Sequence, residues 1–222
     1  MEEQDIINLW KAQNVKIEQT LAINKQLLKE VVTQKARSAV STFNRSKGWG
    51  IISFVIYLVI LGNILAYAIR HYSPGLNYFI VSFAAIILIN IKGLSDYIKH
   101  LVWVNAINYE GSITDIQEKL TKVQLSVVKH VRVMFLQLPF WTTFYLSSNW
   151  FPRDMGWGYL VFQALLTGSF AYAAWWLYTN QTIANLDKRW FRKLIAGSGG
   201  ASIMQALIVY KEIEEFKQEG VL

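Results

Sequence analysis

Four stretches of the chain, 49–69, 76–91, 133–151 and 155–181, contain no Asp, Glu, Lys or Arg, while charged residues return between them. About 20 apolar residues cross a bilayer as an α-helix, so the pattern predicts an all-α integral membrane protein with four transmembrane helices in two hairpins. The first span is read as 49–69. The strict apolar run of the second, 78–91, is 14 residues long, and extending it to 75–94 requires Lys92 to lift its ammonium to the interface. The third, 131–151, carries Gln137, Pro139, Thr142, Thr143, Ser147 and Ser148, which places that side against other helices and predicts a kink at Pro139. The fourth, 158–178, has small residues four apart, Ala164 with Gly168 and Ser169 with Ala173, as Gly62 and Ala66 do in the first. Such pairs let helix backbones approach.

Ahead of the first span the apolar positions change period. Ile6, Trp10, Ile17, Leu21, Leu28, Val32, Ala39 and Phe43 recur at alternating steps of four and seven, an eleven-residue repeat that keeps one stripe on a nearly straight helix. Residues 1–48 are therefore read as an amphipathic N-terminal helix. The opening Met-Glu-Glu-Gln-Asp lacks the basic region and short apolar run of a cleavable signal, so the first span is expected to be an internal anchor. Segment 95–130 reads as a helical hairpin. Its first helix, 94–109, ends at Gly111, and Ser112 and Asp115 cap the second. Segment 179–222 reads as another: a helix over 185–196, the glycine turn 197–200, and a closing helix to about residue 219 capped by Ser202 and Gln205. The two halves share this plan, a weak internal repeat.

Charge then sets the orientation. Of the 22 Lys and Arg, eight precede the first span, five lie between Lys92 and Lys129, six follow Gln181, Arg132 sits at the cytoplasmic lip of the third span, and the hairpin loops hold only Arg70 and Arg153. Basic residues collect on the cytoplasmic side. The chain is thus expected in a bacterial inner (plasma) membrane, multi-pass, with both termini and the middle segment cytoplasmic. The same rule accounts for the formal charge of +7, and with no compact basic patch interleaved with aromatics, no nucleic-acid partner is expected. Lys188, Arg189, Arg192 and Lys193, just past the fourth span, are read as a membrane-surface group facing anionic headgroups.

The candidate chemistry is sparse. The chain has no cysteine, hence no disulfide, thiolate nucleophile or sulfur-ligated metal. Asp96 and His100 are four apart on one helix face, the spacing of an acid/base or metal pair, but two groups fall short of the three or four a zinc site uses. His71 and His130 flank spans, where polar anchors are expected. No phosphate-cradling motif surrounds Gly111 or the 197–200 run. The expectation is no enzyme, no catalytic residue, no metal and no cofactor. A non-enzymatic protein remains, whose cytoplasmic helices bind a protein partner or a second copy through Trp10, Ile17, Leu21, Leu28 and Val32. Alternatively the stripe folds down on Ile113, Ile116, Leu120 and Val123 and on Ile203, Leu207 and Ile213 of the same chain. A second function class is a channel or transporter subunit with a polar lumen lined by Asn63, Gln137 or Gln163.

Leu9-Trp10-Lys11-Ala12-Gln13 and Leu27-Leu28-Lys29-Glu30, followed by four spans, resemble uncharacterised membrane proteins of Bacteroidetes-type bacteria, some encoded beside sigma factors of the extracytoplasmic-function class. That resemblance implies a membrane-held regulator that sequesters a sigma factor. It carries no catalytic residues with it, and the zinc-type His/Cys motif of many anti-sigma domains is absent.

Overall fold

The computed structural model describes residues 3–109, 111–186, 188–196, 199–206 and 208. The described chain is helical, without a strand. Helix α1 (Glu3–Arg70) leads through a 3-10 turn at Pro74–Leu76 into α2 (Asn77–Asn105). Helix α3 (Ile113–Met134) runs into a 3-10 helix at Phe135–Thr142, and α4 (Trp157–Asn180), a 3-10 turn at Ile183–Asn185 and α5 (Arg189–Ala196) complete the series. Among the described residues three helices are long and apolar enough to cross a membrane, within Thr33–Arg70, Pro74–Asn105 and Trp157–Asn180.

The N-terminal helix and the first apolar span are one object. No proline interrupts α1, and at about 1.5 Å per residue its 68 residues make a rod of about 100 Å. The eleven-residue stripe continues beyond Phe43, since the next steps of seven and four reach Gly50, Phe54, Leu61 and Leu65. All four face α2 or its neighbours: Gly50 lies against the Tyr97 ring, Phe54 meets Tyr97 edge-on at 5.0 Å, and Leu61 and Leu65 pack with Phe83 and Ile86. A repeat of 3.67 residues per turn follows a straight helix closely. One face of α1 therefore contacts the rest of the molecule from end to end of the apolar half.

The third apolar stretch does not continue as an α-helix. Pro139 has no N–H to donate and its ring clashes with the preceding turn, and α3 gives way to the 3-10 form at Phe135 and then to turns. The exposed carbonyls find side chains. Thr142 Oγ1 donates to Pro139 O at 2.7 Å, Thr143 Oγ1 lies 3.3 Å from Phe140 O, and Gln163 Nε2 of α4 donates to Thr142 O at 2.7 Å. Irregular backbone buried away from water requires such partners. The segment still runs antiparallel to α2 along its apolar length. Met134 lies against Gly93, Gln137 accepts from Asn90 at 2.9 Å, Thr143 pairs with Ser82 at 2.9 Å, and Ser147 and Asn149 border Gly75. A 3-10 helix rises about 2.0 Å per residue against about 1.5 Å for an α-helix, so fewer residues cover the same distance.

Beyond the charge-free runs the helices form a second bundle. Ala36, Ala39, Val40 and Phe43 of α1 pack with Val104 of α2, with Ile116, Leu120 and Val123 of α3, and with Ile203 and Ala206. Helix α3 starts as its sequence indicates, for the Ser112 hydroxyl accepts from Asp115 N at 3.2 Å. Two expected boundaries shift. Helix α2 ends at Asn105 rather than near Tyr109, and residues 200–206 are already helical, which puts Ser202 inside that helix rather than at its cap. Most of the closing helix expected to residue 219 lies outside the described residues.

Candidate functional site

Two places in the fold carry unusual side chains, and both involve α1. The first is the apolar stripe beyond the bundle. From Trp10 to Val31 every side chain that is described is exposed, including Trp10 at 68%, Ile17 at 57% and Leu21 at 44%. These three share one face, being seven and four apart. The side chains of Leu28 and Val32 are outside the description, although their backbone belongs to α1. Lower on the same stripe Ala39 and Phe43 are buried against α3 and Ile203. The structure thus divides the stripe: its base is covered within the chain, and Trp10, Ile17 and Leu21 farther up are exposed.

The second place is a buried polar cluster just beyond the charge-free runs, where α1, α2 and α3 meet. Lys47 is 0% exposed, and among the described residues its Nζ has no hydrogen-bond partner. Instead the ammonium lies over two aromatic faces, 3.5 Å from the Tyr97 centroid and 5.4 Å from that of Phe43. Burial pulls its pKa down to about 7 against the attraction of Asp96. Asp96 does not pair with His100, the partner its spacing offers. Its carboxylate takes Lys92 from its own helix and the His130 Nδ1–H of α3 at 3.3 Å. Burial works against its charge, yet Lys92 and His130 hold its pKa below the usual carboxylate value. His100 turns the other way, its Nε2 lying 2.9 Å from Ser126 Oγ, while its Nδ1 has no hydrogen-bond partner among the described residues. Burial, with Lys47 close by, lowers His130 to about 4 and His100 to about 3, so both rings are neutral at pH 7.

Among the described residues no three His, Asp or Glu side chains converge to hold a metal. His71 sits in the exposed turn after α1, its Nδ1 3.0 Å from Tyr67 O. The amides considered for a lumen are occupied: Asn63 donates to Val59 O of its own helix, Gln137 is held by Asn90, and Gln163 is shared by Thr142 O, Thr167 and the Tyr145 hydroxyl. At the hairpin end, a cavity of about 290 Å³ lies between α2 and the broken segment, bordered by Asn77, Ser82, Thr143 and Ser148. The basic group sits on α5, which is anchored by buried Phe191 and Ile195. Lys188, Arg189, Arg192 and Lys193 are exposed, and Trp190 packs on Trp176 of α4 at 5.3 Å.

Lys47 is the residue that sequence reasoning missed. It was one of eight basic residues ahead of the first span, yet it lies four positions after Phe43, on the buried side of the same helix. The chain matches no family model, no curated protein and no solved structure.

Proposed function

We propose that this protein is a multi-pass protein of a bacterial inner membrane, with both termini cytoplasmic, and that it binds a cytoplasmic protein partner through the exposed half of α1. It acts by binding, not by catalysis. The observation that carries this reading is the row Trp10, Ile17 and Leu21, exposed on a helix whose same face is buried lower down. Leaving water is worth about 1.5–3 kcal/mol for each such side chain, enough for three to anchor an interface. The resemblance noted above makes a sigma factor the first partner to test, and a second copy the next. In this reading the broken third segment is a fourth crossing, and α5 rests its basic side chains on anionic headgroups.

Changing Trp10 and Leu21 together to Asp tests the binding role. The variant should insert in the membrane as the parent does and lose the partner on affinity purification in mild detergent, or lose its oligomer by size. A variant with unaltered partners and size contradicts the proposal.

One observation favours a second reading, a channel or transporter subunit. Discontinuous helices at membrane depth often line solute sites, and the cavity between α2 and the broken segment reaches the Ser82–Thr143 pair. Flux through reconstituted protein that is abolished by Ser82→Ala with Thr143→Val would support it.

A further inference from the structure

The joint between α1 and the two helices it crosses holds more ionisable groups than packing requires. Helix α1 brings Lys47, α2 brings Lys92, Asp96, Tyr97 and His100, and α3 brings His130, with Ser126 beside His100. After α5, Gly199 adjoins the Lys47 stem. The His130 ring is 5.0 Å from that of Tyr97 and 6.0 Å from that of His100. We propose that this cluster is a proton-operated clamp, in which proton uptake loosens α1 from α2 and α3 at the foot of the exposed stalk.

The geometry compensates added charge poorly: the Lys47 ammonium rests on the Tyr97 and Phe43 ring faces rather than on a hydrogen-bond acceptor among the described residues. Lys47 Nζ and His100 Nδ1 are both buried without a hydrogen-bond partner among the described residues, and a charge in that position is costly unless paired. Asp96, the one carboxylate in the cluster among the described residues, is already engaged by Lys92 and His130. A second or third cation in the cluster is therefore accommodated by letting water in, which means parting the helices. The joint is otherwise tight: Tyr97 fills the space left by Gly50, and Phe43 and Lys47 sit under Gly199, whose φ of 81° favours glycine.

The sign follows from where protons bind first. Lys47, His100 and His130 are all held below their ordinary values of 10.5, 6.5 and 6.5, so the opened joint takes protons before the closed one does. Acidification therefore opens it. Lys47 acts between about pH 10.5 and about 7, and the histidines act from about 6.5 down to about 4 for His130 and about 3 for His100. Asp96, held below 3.8, adds to the loss only in stronger acid.

The chain has no cysteine, so an introduced thiol reports alone. In the full-length protein in nanodiscs, the labelling rate of Ala39→Cys, buried at the joint, is divided by that of Thr42→Cys, exposed on the same helix, which cancels the thiol's own pH dependence. The ratio should rise by about tenfold or more from pH 9 to 7, through Lys47, and by about tenfold or more again from pH 7 to 5.5, mainly through the histidines. Lys47→Met should flatten the first rise and keep the second, whereas His100→Asn with His130→Asn should do the reverse. A parent ratio constant within a few-fold from pH 9 to 5.5 overturns the proposal, as does a rise that survives removal of the group assigned to it. Should the asparagine variant be open already at pH 9, the parent and Lys47→Met profiles decide.

Discussion

Tyr97 is the side chain on which α1 and α2 meet, and it is held on three sides. Phe54 stands edge-on at 5.0 Å, the His130 ring is 5.0 Å away, and the Lys47 ammonium covers the ring at 3.5 Å. A Cβ at Gly50 would collide with its Cε1. Alanine gains up to about 1 kcal/mol over glycine in a helix, but overpacking against a pinned ring costs about 1–3 kcal/mol. Gly50→Ala should therefore lower the denaturation midpoint in detergent. Gly93→Ala should be milder, because the nearest atom there is the flexible Met134 thioether at 2.9 Å. If Gly50→Ala is as costly in a Tyr97→Leu background as in the parent, the ring contact is not the cause. Lys47 could be placed on the stripe from its spacing to Phe43. Its isolation could not be read that way, because it depends on which neighbours α2 and α3 bring and on Asp96 choosing His130 over His100.

At the scale of elements, α1 was the most legible part, because an eleven-residue period is a statement about helix geometry and holds wherever the helix is straight. Its extent was not legible. The change from amphipathic to uniformly apolar sequence near residue 48 suggested two elements, whereas the backbone crosses that point without a break. The third apolar stretch was legible in composition and not in conformation. Hydropathy counts apolar residues and is blind to whether they lie in an α-helix, and what lets the 3-10 form persist is Gln163 from α4, a partner distant in sequence. The account takes this stretch as a crossing, which fixes the side on which the chain ends. Reporters fused after Gln34 and after Leu222 should both read cytoplasmic, and one inserted at Gly75 external. A periplasmic reading at the C-terminus would mean that the broken segment turns back.

On the scale of the whole molecule, α1 ties three layers together: an apolar bundle around Leu61, Phe83 and Ile86, a polar-side bundle around Phe43 and Leu120, and the exposed rod beyond. The residues before Ala36 extend about 50 Å past the second bundle at about 1.5 Å each, farther than anchoring in a bilayer requires. That excess length, with its apolar face, is what the proposed function explains. Placing a photo-crosslinking amino acid at Ile17 and Leu21 in living cells, and at Gln19 and Gln26 on the opposite face, tests it most directly. The account predicts a discrete adduct of one mass from positions 17 and 21 and none from 19 and 26. The absence of any adduct from 17 and 21, or equal adducts from both faces, would contradict it.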